Sequence, residues 1–350
     1  MKNNLHLVIM AGGSGTRFWP KSTSKRPKQL LAFGPDNPDT LLVQTLKRFD
    51  GLVPGDEEHR MIVTTELLQG AISEQAAKVK VLAEPAGRNT APCVYWAARV
   101  VAETNPKGVM LVMPADHYIA KLDAFKETVG AAIDWASTHD DLVTLGVKPV
   151  SPETGYGYLK LGKALKGCHE VGAFVEKPGI EKAREFLSSG QYLWNGGMFL
   201  WRAEVILKAF DQHMPEMKQI WEASSGKVQN AYPKLTATSV DYGIMEKAKN
   251  VVTFTLDCGW DDVGNWTSLE GLADVLRARH EAGVVSGGEV IAVQSKGNIV
   301  DAPGKLVALL GIDDLIVVEH GNAILVAKKD RAQDIRLIVE QVKKLRPDLA

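Results

Sequence analysis

Residues 5–20 read LHLVIMAGGSGTRFWP, in which the short apolar run Leu5–Met10 leads directly into a loop with three glycines. A continuous apolar run of this length is typical of a strand buried on both faces of a parallel sheet. The glycines let backbone N–H groups converge on phosphate oxygens without obstruction by Cβ atoms. The stretch therefore predicts a strand followed by a phosphate-binding loop, with a tight turn that binds no ligand as the alternative.

Similar apolar runs recur along the chain and alternate with amphipathic segments. The runs that predict buried strands are Met61–Thr65, Val79–Ala83, Val109–Met113, Leu142–Val147 and Val251–Leu256. The segments that predict helices are Leu41–Phe49, Glu66–Lys78, Thr90–Glu103 and Asp123–Ser137, with Thr90 suited to an N-cap. The alternation predicts an α/β fold with a doubly wound, mostly parallel sheet that binds ligands at the carboxyl ends of its strands.

The pattern changes twice further along the chain. Between about residues 150 and 250, candidate strands separated by Gly and Pro turns indicate an inserted lid or substrate subdomain: Gly155–Leu161, Val171–Glu176 and Gly197–Trp201. After about residue 280, short strands and glycine turns precede a helix at Arg331–Leu345. We predict domains at 1–280 and 281–350, the second a small all-β tail that ends in a helix and serves structure or self-association.

Composition excludes several classes of protein. With 45% hydrophobic and 24% charged residues, the 350-residue chain has the composition of an ordinary globular protein. A net charge of −1 creates no basic field for nucleic acid. Three cysteines without a C-x-x-C pair, and the lack of an apolar stretch of about 20 residues, favour a cytoplasmic protein without disulfides or membrane spans.

Basic residues favour the phosphate-binding interpretation of the loop. Arg17 lies within it, and Lys25-Arg26-Pro27-Lys28 follows. No Gly-Lys-Ser/Thr follows at the spacing of a Walker A loop, and Phe18 occupies the third glycine position of a dinucleotide-binding motif. A triphosphate donor needs cations at the leaving pyrophosphate and at the reacting phosphorus. The loop therefore predicts a triphosphate site of another kind.

The loop and the K-R-P-K segment resemble the signature of nucleoside-diphosphate-sugar pyrophosphorylases, in particular the mannose-1-phosphate guanylyltransferases. Further blocks similar to this family follow in order at Glu84–Pro92, Pro114–His117, Thr154–Tyr158, Phe174–Pro178, Trp194–Phe199, Ser239–Lys247 and Gly259–Trp266. The resemblance spans residues 11 to 266. Longer members also carry a phosphomannose isomerase domain, for which this chain has no room, so we expect the transferase activity alone.

The resemblance implies an enzyme that makes GDP-mannose and pyrophosphate from GTP and α-D-mannose 1-phosphate. It also implies a sugar-binding role for the inserted subdomain, a β-helix-like tail and a homodimer. Another hexose 1-phosphate or nucleotide remains an alternative substrate, and a regulatory homologue without turnover is an alternative of a different class. Such homologues lose charged residues of the active site, whereas Arg17, Lys28, Asp116, Lys177 and Asp262 all persist.

Site residues follow from the resemblance together with charge and reach. Arg17 and Lys28 are the predicted catalytic residues, with Arg17 on the β- and γ-phosphates and Lys28 on the α-phosphate. The predicted nucleotide-binding residues are Gly12, Gly13, Ser14, Gly15, Thr16, Glu84, Gly87 and Asn89. The predicted sugar-phosphate-binding residues are Gly157, Glu176, Lys177, Asn195 and Gly197.

Magnesium is the expected counter-charge for two phosphorylated substrates, held by one or two carboxylates and by phosphate oxygens. Asp116 and Asp262 are the predicted ligands, because each follows a buried strand and lies in a block similar to the family. Asp261 is the rival of Asp262. A turn or N-cap aspartate is the alternative interpretation of either residue.

Overall fold

A computed structural model describes residues 4–13, 15–33, 38–274 and 276–350 of the chain. Ser14, one of the predicted nucleotide-binding residues, lies outside the described residues. The chain divides into two compact units. The first unit comprises Met1–Gly12, Arg48–Pro114 and Lys121–Trp260, and the second comprises Gly13–Lys47, Ala115–Ala120 and Asp261–Ala350. The predicted domain boundary near residue 280 stays a prediction.

Strands and helices alternate through most of the chain. The strands are β1 (Leu5–Met10), β2 (Arg60–Thr65), β3 (Lys80–Glu84), β4 (Val109–Pro114), β5 (Tyr118–Ile119), β6 (Leu142–Val147), β7 (Tyr158–Ala164), β8 (His169–Val175), β9 (Tyr192–Arg202), β10 (Val251–Leu256), β11 (Trp260–Asp261), β12 (Arg279–His280), β13 (Gly283–Val293), β14 (Asn298–Leu310), β15 (Leu315–His320) and β16 (Ala323–Lys328). The α-helices are α1 (Leu41–Arg48), α2 (Gln69–Gln75), α3 (Thr90–Thr104), α4 (Leu122–Thr138), α5 (Ile180–Ser189), α6 (Ala203–His213), α7 (Pro215–Ala223), α8 (Val228–Ala231), α9 (Ser268–Leu272) and α10 (Ile335–Leu345).

Within the described residues of the first unit, nine strands form one sheet in the order β3-β2-β1-β4-β9-β6-β10-β8-β7. Neighbours β3, β2, β1 and β4 are parallel, as are β6 and β10. Strand β9 runs antiparallel to β4, β6 and β7, and β8 runs antiparallel to β10 and β7. The sheet is therefore mixed: seven of its nine described strands run in one direction, and β8 and β9 run in the other. The predicted α/β fold is confirmed, and the inserted segment contributes three strands, β7, β8 and β9, to the main sheet.

Alternate side chains of the central strands pack against helices in the core of this unit. Val8 of β1 and Val112 of β4 are fully buried in a cluster with Val94 of α3 and Phe210 of α6. Such burial removes most of the apolar surface of each strand from water, at about 25 cal/mol per Å². The sheet thereby becomes a rigid support for the loops at its carboxyl edge.

Two predicted helices begin differently from the sequence interpretation. The N-cap of α3 is Asn89 and not Thr90, because the Asn89 side chain accepts a hydrogen bond of 2.8 Å from the Thr90 N–H. Both residue types are good N-caps, so the choice depends on backbone geometry. The predicted helix 66–78 forms a 3₁₀ turn at Glu66–Leu68 and then the shorter α2.

The second unit contains a sheet in the order β12-β13-β14-β15-β16, formed by described residues of the tail. Strands β13, β14 and β15 pair in parallel, and bulges interrupt the β13–β14 register. A 3₁₀ turn at Lys329–Asp334 precedes α10, so the terminal helix begins four residues later than predicted. The predicted all-β tail that ends in a helix is confirmed.

Among the described residues, no helix combines the length and the apolar character that a membrane span requires. Cys93, Cys168 and Cys258 are buried free thiols.

Candidate functional site

Four of the predicted nucleotide-binding residues, Gly12, Glu84, Gly87 and Asn89, lie in the first unit, where β1 and β3 end. Gly12 follows β1, and a Cβ atom on it would lie 3.1 Å from the Glu84 Oε2 atom. Glu84 is the last residue of β3, is buried, and accepts a hydrogen bond from the Tyr232 hydroxyl through Oε1. Burial raises the pKa of Glu84, while the Tyr232 hydrogen bond partly offsets this rise. The structure thus places a carboxylate beside the start of the glycine loop.

The segment after β3 leads into α3. Gly87 is exposed, with open space where a Cβ atom would be. Asn89 has a φ of 65° and caps α3, so its side-chain oxygen is already a hydrogen-bond acceptor for the helix. The Arg88 guanidinium donates to the Pro233 carbonyl. Asn89 therefore has a structural role in addition to its predicted contact with the nucleotide.

The rest of the glycine loop belongs to the second unit. The Gly13 carbonyl accepts a hydrogen bond of 3.0 Å from the Gln29 side chain. Gly15 has a φ of 55°, and a Cβ atom on it would lie 2.5 Å from the Lys28 backbone nitrogen. Only glycine fits this position, because both the φ value and the close approach exclude a side chain. Thr16 begins a 3₁₀ turn that ends at Phe18.

Lys28 connects the separate segments of the second unit. Its Nζ atom lies 2.8 Å from Asp116 Oδ2 and donates hydrogen bonds to the carbonyls of Asp262, at 2.6 Å, and Val263, at 3.0 Å. An ammonium has three N–H donors, and these three acceptors match them. The side chain is only 8% exposed. The Lys28 ammonium therefore binds both segments that carry the predicted metal ligands, Asp116 and Asp262. Its contact with an α-phosphate stays a prediction.

The carboxylates near Lys28 have different surroundings. Desolvation opposes ionisation of Asp116, but the charge of Lys28, with His117, outweighs it and lowers the Asp116 pKa. Asp261 Oδ1 instead accepts a hydrogen bond of 2.6 Å from the Val263 N–H. Burial raises the pKa of Asp261 to about 6. Asp261 thus stabilises its own turn, and Asp262 remains the predicted ligand.

Arg17 lies in the exposed turn that follows Gly15. Its guanidinium donates a hydrogen bond of 3.1 Å to the Gln333 side chain, in the tail. The side chain is exposed, so its charge remains open to solvent and to anions. The exposed position is compatible with the predicted contact to pyrophosphate.

The predicted sugar-binding residues cluster in the first unit. Glu176 follows β8, its side chain is 10% exposed, and its Oε1 atom lies 3.1 Å from Lys177 Nζ. A Cβ atom on Gly157 would lie 2.4 Å from Glu176 Oε2, so the absence of a side chain there makes room for the carboxylate. The structure brings Gly157, Glu176 and Lys177 together, and their common role in binding the sugar phosphate stays a prediction.

Asn195 is the centre of a hydrogen-bond network in the same cluster. Its backbone N–H donates to the Gly157 carbonyl at 2.8 Å, and its side-chain Nδ2 donates to Asp241 Oδ1 at 2.8 Å. Its Oδ1 atom accepts from the Thr144 hydroxyl at 3.0 Å and from the Gly197 N–H at 3.3 Å. These contacts fix the orientation of the amide.

Asp241 is an acidic residue of the cluster that was not among the predicted site residues, although it lies in the block Ser239–Lys247. Burial, followed by the negative charge of Glu176, raises the pKa of Asp241 to about 6. A second acidic residue, Glu246, accepts a hydrogen bond of 3.2 Å from the Glu176 backbone N–H. The sequence signal for Asp241 was its place in a block that resembles the family. Its contact with Asn195 could not be predicted, because it depends on the fold.

Comparisons with known proteins identify the family of this chain. Residues 6–278 match the family model described as Nucleotidyl transferase. The chain belongs to the nucleotidyl transferase family. Residues 288–342 match a second model, described as MannoseP isomerase/GMP-like beta-helix domain, which accords with the parallel strands of the tail.

Two curated relatives and one solved structure match nearly the whole of this chain. Mannose-1-phosphate guanylyltransferases of Escherichia coli K12 and Salmonella typhimurium LT2 are each 37% identical, over 98% of this chain and 74% of their own. A crystal structure from Thermus thermophilus, described as a mannose-1-phosphate geranyltransferase, has a TM-score of 0.88 and 34% identity over 98% of this chain and 100% of that one. The predicted resemblance to mannose-1-phosphate guanylyltransferases is confirmed.

Nucleotidyltransferases of this family generally use a divalent metal ion. In the described parts of the chain, no group of three or more His, Cys, Asp or Glu side chains is arranged to hold one. Magnesium, however, needs only one or two protein carboxylates when substrate phosphates and water supply the other ligands. Asp116 and the main-chain carbonyl of Asp262 meet at Lys28, so two carboxylate-bearing residues of the type that magnesium prefers lie on neighbouring segments.

Asp241 predicts a specific pH dependence of stability. Because its pKa rises from 3.8 to about 6 on folding, the folded state binds this proton more tightly. The contribution of Asp241 to the free energy of unfolding should therefore decrease as the pH rises from about 4 to 6 and then level off. Asp241→Asn should remove this contribution, while that of Asp261 remains, and should be more stable than the parent at pH 7 by about 1–3 kcal/mol.

Urea denaturation between pH 4 and 7 measures this effect. Asp257→Asn is the matched control, since the Asp257 side chain is 84% exposed and should leave the pH dependence of the parent intact. Stability curves that run parallel for the parent and Asp241→Asn would show that burial of this carboxylate carries no such cost.

Proposed function

We propose that this nucleotidyltransferase makes GDP-mannose and pyrophosphate from GTP and α-D-mannose 1-phosphate. The observation that carries the proposal is the 37% identity to two enzymes named mannose-1-phosphate guanylyltransferase, over 98% of this chain. The charged residues Arg17, Lys28 and Lys177, which would offset the charge of two anionic substrates, support it.

In the reaction, a phosphate oxygen of the sugar attacks the α-phosphorus of GTP. A new P–O bond forms, and the bond from the α-phosphorus to the oxygen that bridges to the β-phosphate breaks, so that pyrophosphate leaves with its electron pair. The attacking phosphate is already ionised near neutral pH and needs no general base. The protein must therefore align the two substrates and offset their charge.

Each set of residues has a role in this proposal. The N–H groups of the glycine loop and the exposed Arg17 bind the β- and γ-phosphates, and Lys28 places positive charge at the α-phosphate. Asp116 and Asp262 would hold magnesium, which supplies positive charge to the phosphate oxygens when it is bound. Without Lys28, the two aspartates would repel the same phosphates that they are meant to help position.

Glu84 is suited to bind guanine, because its carboxylate can accept hydrogen bonds from the adjacent N1–H and N2–H₂ groups of the base. The Tyr232 hydroxyl occupies one oxygen of Glu84 and thereby fixes the carboxylate. In the sugar site, Lys177 binds the sugar phosphate, while Glu176 and Asn195 bind hydroxyl groups and Gly197 offers its backbone. The homodimer and the cytoplasmic location stay predictions.

A substrate panel tests the proposal. Pyrophosphate release with mannose 1-phosphate should be fastest with GTP, when GTP, ATP, UTP and dTTP are compared at equal concentration. Glu84→Gln replaces a charged acceptor by an amide of the same size, and a hydrogen bond to a charged group contributes about 1.5–3 kcal/mol. This variant should lose roughly 10- to 100-fold in kcat/KM for GTP and little for UTP.

Asp257→Asn, at an exposed aspartate, serves as the control and should retain the parent's preference. No release from mannose 1-phosphate with any of the four nucleotides would refute the proposed function. A faster reaction with another hexose 1-phosphate or another nucleotide would keep the chemistry but replace the substrates.

A further inference from the structure

The tail of the second unit contacts the turn that carries Arg17. Four residues between 17 and 24 each have a polar partner in the tail. The contacts are Arg17 to the Gln333 side chain at 3.1 Å, Trp19 Nε1 to the Leu349 carbonyl at 2.9 Å, Lys21 to Asp301 at 2.6 Å and Ser24 to the Ala350 carbonyl at 2.9 Å. We call residues 16–24 the anchored segment, because these contacts attach it to the tail at several widely separated positions.

Lys21 and Asp301 make the strongest of these contacts. Lys21 Nζ lies 2.7 Å from Oδ1 and 2.6 Å from Oδ2 of Asp301, so one ammonium binds both carboxylate oxygens. The Asp301 side chain is 4% exposed and that of Lys21 is 21% exposed. Removing one member of a buried ion pair leaves the other charge without compensation, which strongly destabilises the local structure. The Lys21 charge is thus paired with a carboxylate of the tail.

Apolar packing supports the same attachment. Phe18 and Trp19 are buried in a cluster with Ile299 of β14, Ile316 of β15 and Val339 of α10. The anchored segment therefore shares a hydrophobic core with the tail in addition to its polar contacts. Because Arg17 lies next to Phe18 in this segment, a shift of the core would move the guanidinium.

We propose that the tail holds the anchored segment in the conformation that binds the triphosphate, and that Lys21 and Asp301 are positioning residues for this purpose. The effect on rate rests on the proposed function, whereas the effect on the segment's conformation does not. In this proposal the tail does not serve structure or self-association alone. The tail instead acts on catalysis by restricting the freedom of Arg17 and its neighbours.

Two readouts test the proposal on the full-length protein: amide hydrogen exchange and steady-state kinetics with GTP. The segment's own hydrogen bonds report its order, namely Phe18 N–H to Gly15 O, Trp19 N–H to Thr16 O and Ser22 N–H to Phe18 O. Lys21→Met and Asp301→Asn should each speed exchange of these amides by roughly 10-fold or more and raise KM for GTP by a similar factor. KM for mannose 1-phosphate and exchange in β15 and β16 should change little.

The double variant should be hardly worse than either single one, since both changes break the same contact. Lys21→Arg keeps the charge and should stay close to the parent. Lys329→Met is the matched control, because Lys329 forms ion pairs with Glu270, at 2.8 Å, and Asp314, at 2.9 Å, outside the anchored segment.

Unchanged exchange of the anchored segment in both single variants would overturn the proposal. So would a loss of activity in Lys21→Met with parental kinetics in Asp301→Asn, because Lys21 would then act on the substrate directly. If the parent made no GDP-mannose, the proposed function would fail, but hydrogen exchange would still decide whether the tail orders the segment.

Discussion

Lys28→Met should lose both stability and turnover, because one buried charge holds three acceptors together. Methionine keeps the apolar stem but leaves Asp116 and the carbonyls of Asp262 and Val263 without their donor. We expect the free energy of unfolding to fall by about 3 kcal/mol, the lower end for a broken buried pair, since the Asp116 side chain is 31% exposed. Turnover should fall on the order of 10²- to 10³-fold, as when one preorganised donor is removed from a catalytic site.

The pH dependence separates the ion pair from a general packing effect. The pKa of Asp116 lies below its ordinary value of 3.8 because Lys28 favours the charged form. The pair's stabilisation is therefore complete above about pH 4 and is lost as the pH falls through the lower pKa of the folded state. The stability difference between the parent and Lys28→Met should accordingly shrink in strong acid.

Urea denaturation measures the loss in the free energy of unfolding, and initial rates with GTP measure the loss of turnover. Lys47→Met serves as the control, because Lys47 pairs with Asp39 on the surface of the same unit and its side chain is 60% exposed. It should change stability by less than about 1 kcal/mol. A Lys28→Met protein as stable as the parent but inactive would mean that Lys28 acts on the phosphate and is not a structural anchor.

Strands were predictable wherever burial left a continuous apolar run. Leu142–Val147 and Val251–Leu256 form strands with the predicted bounds. The direction of a strand could not be predicted in the same way, because an apolar run buried on both faces fits a parallel or an antiparallel strand equally well. The antiparallel β9 at the centre of the sheet thus carries no local signal. Helix 66–78 was predicted too long, since amphipathic spacing does not distinguish a 3₁₀ turn from the first turn of α2.

For the site, the sequence indicated residue types but not their partners. The charge of Lys28 suggested a phosphate, yet its ammonium donates to main-chain carbonyls of residues 262 and 263, which have no signature in a sequence. Tyr232, which donates to Glu84, lies 148 residues further along the chain. Contacts of this range arise only when the sheet brings distant loops to one edge, so they could not be predicted from local pattern.

Asp116→Asn and Asp262→Asn should each abolish most of the activity if the two aspartates hold one magnesium ion. Asparagine keeps size and hydrogen bonding but removes the charge that the ion requires. The two variants should differ in stability. Asp116→Asn breaks the ion pair with Lys28, whereas Asp262 contacts Lys28 through its main-chain carbonyl, which the substitution retains. Asp262→Asn should therefore keep its contact with Lys28 and lose less stability than Asp116→Asn, as measured by the urea midpoint.

The double variant tests whether the two carboxylates act as a unit. When two groups serve one ion, removing the second adds little to the loss from the first. Initial rates over a range of magnesium concentrations should show a double variant hardly slower than either single one. Asp261→Asn is the comparison, because its side chain accepts from the Val263 N–H and asparagine can still do so. Additive losses, or an Asp262→Asn enzyme as active and as magnesium-dependent as the parent, would refute the shared ion, and the second result would make Asp261 the ligand to examine.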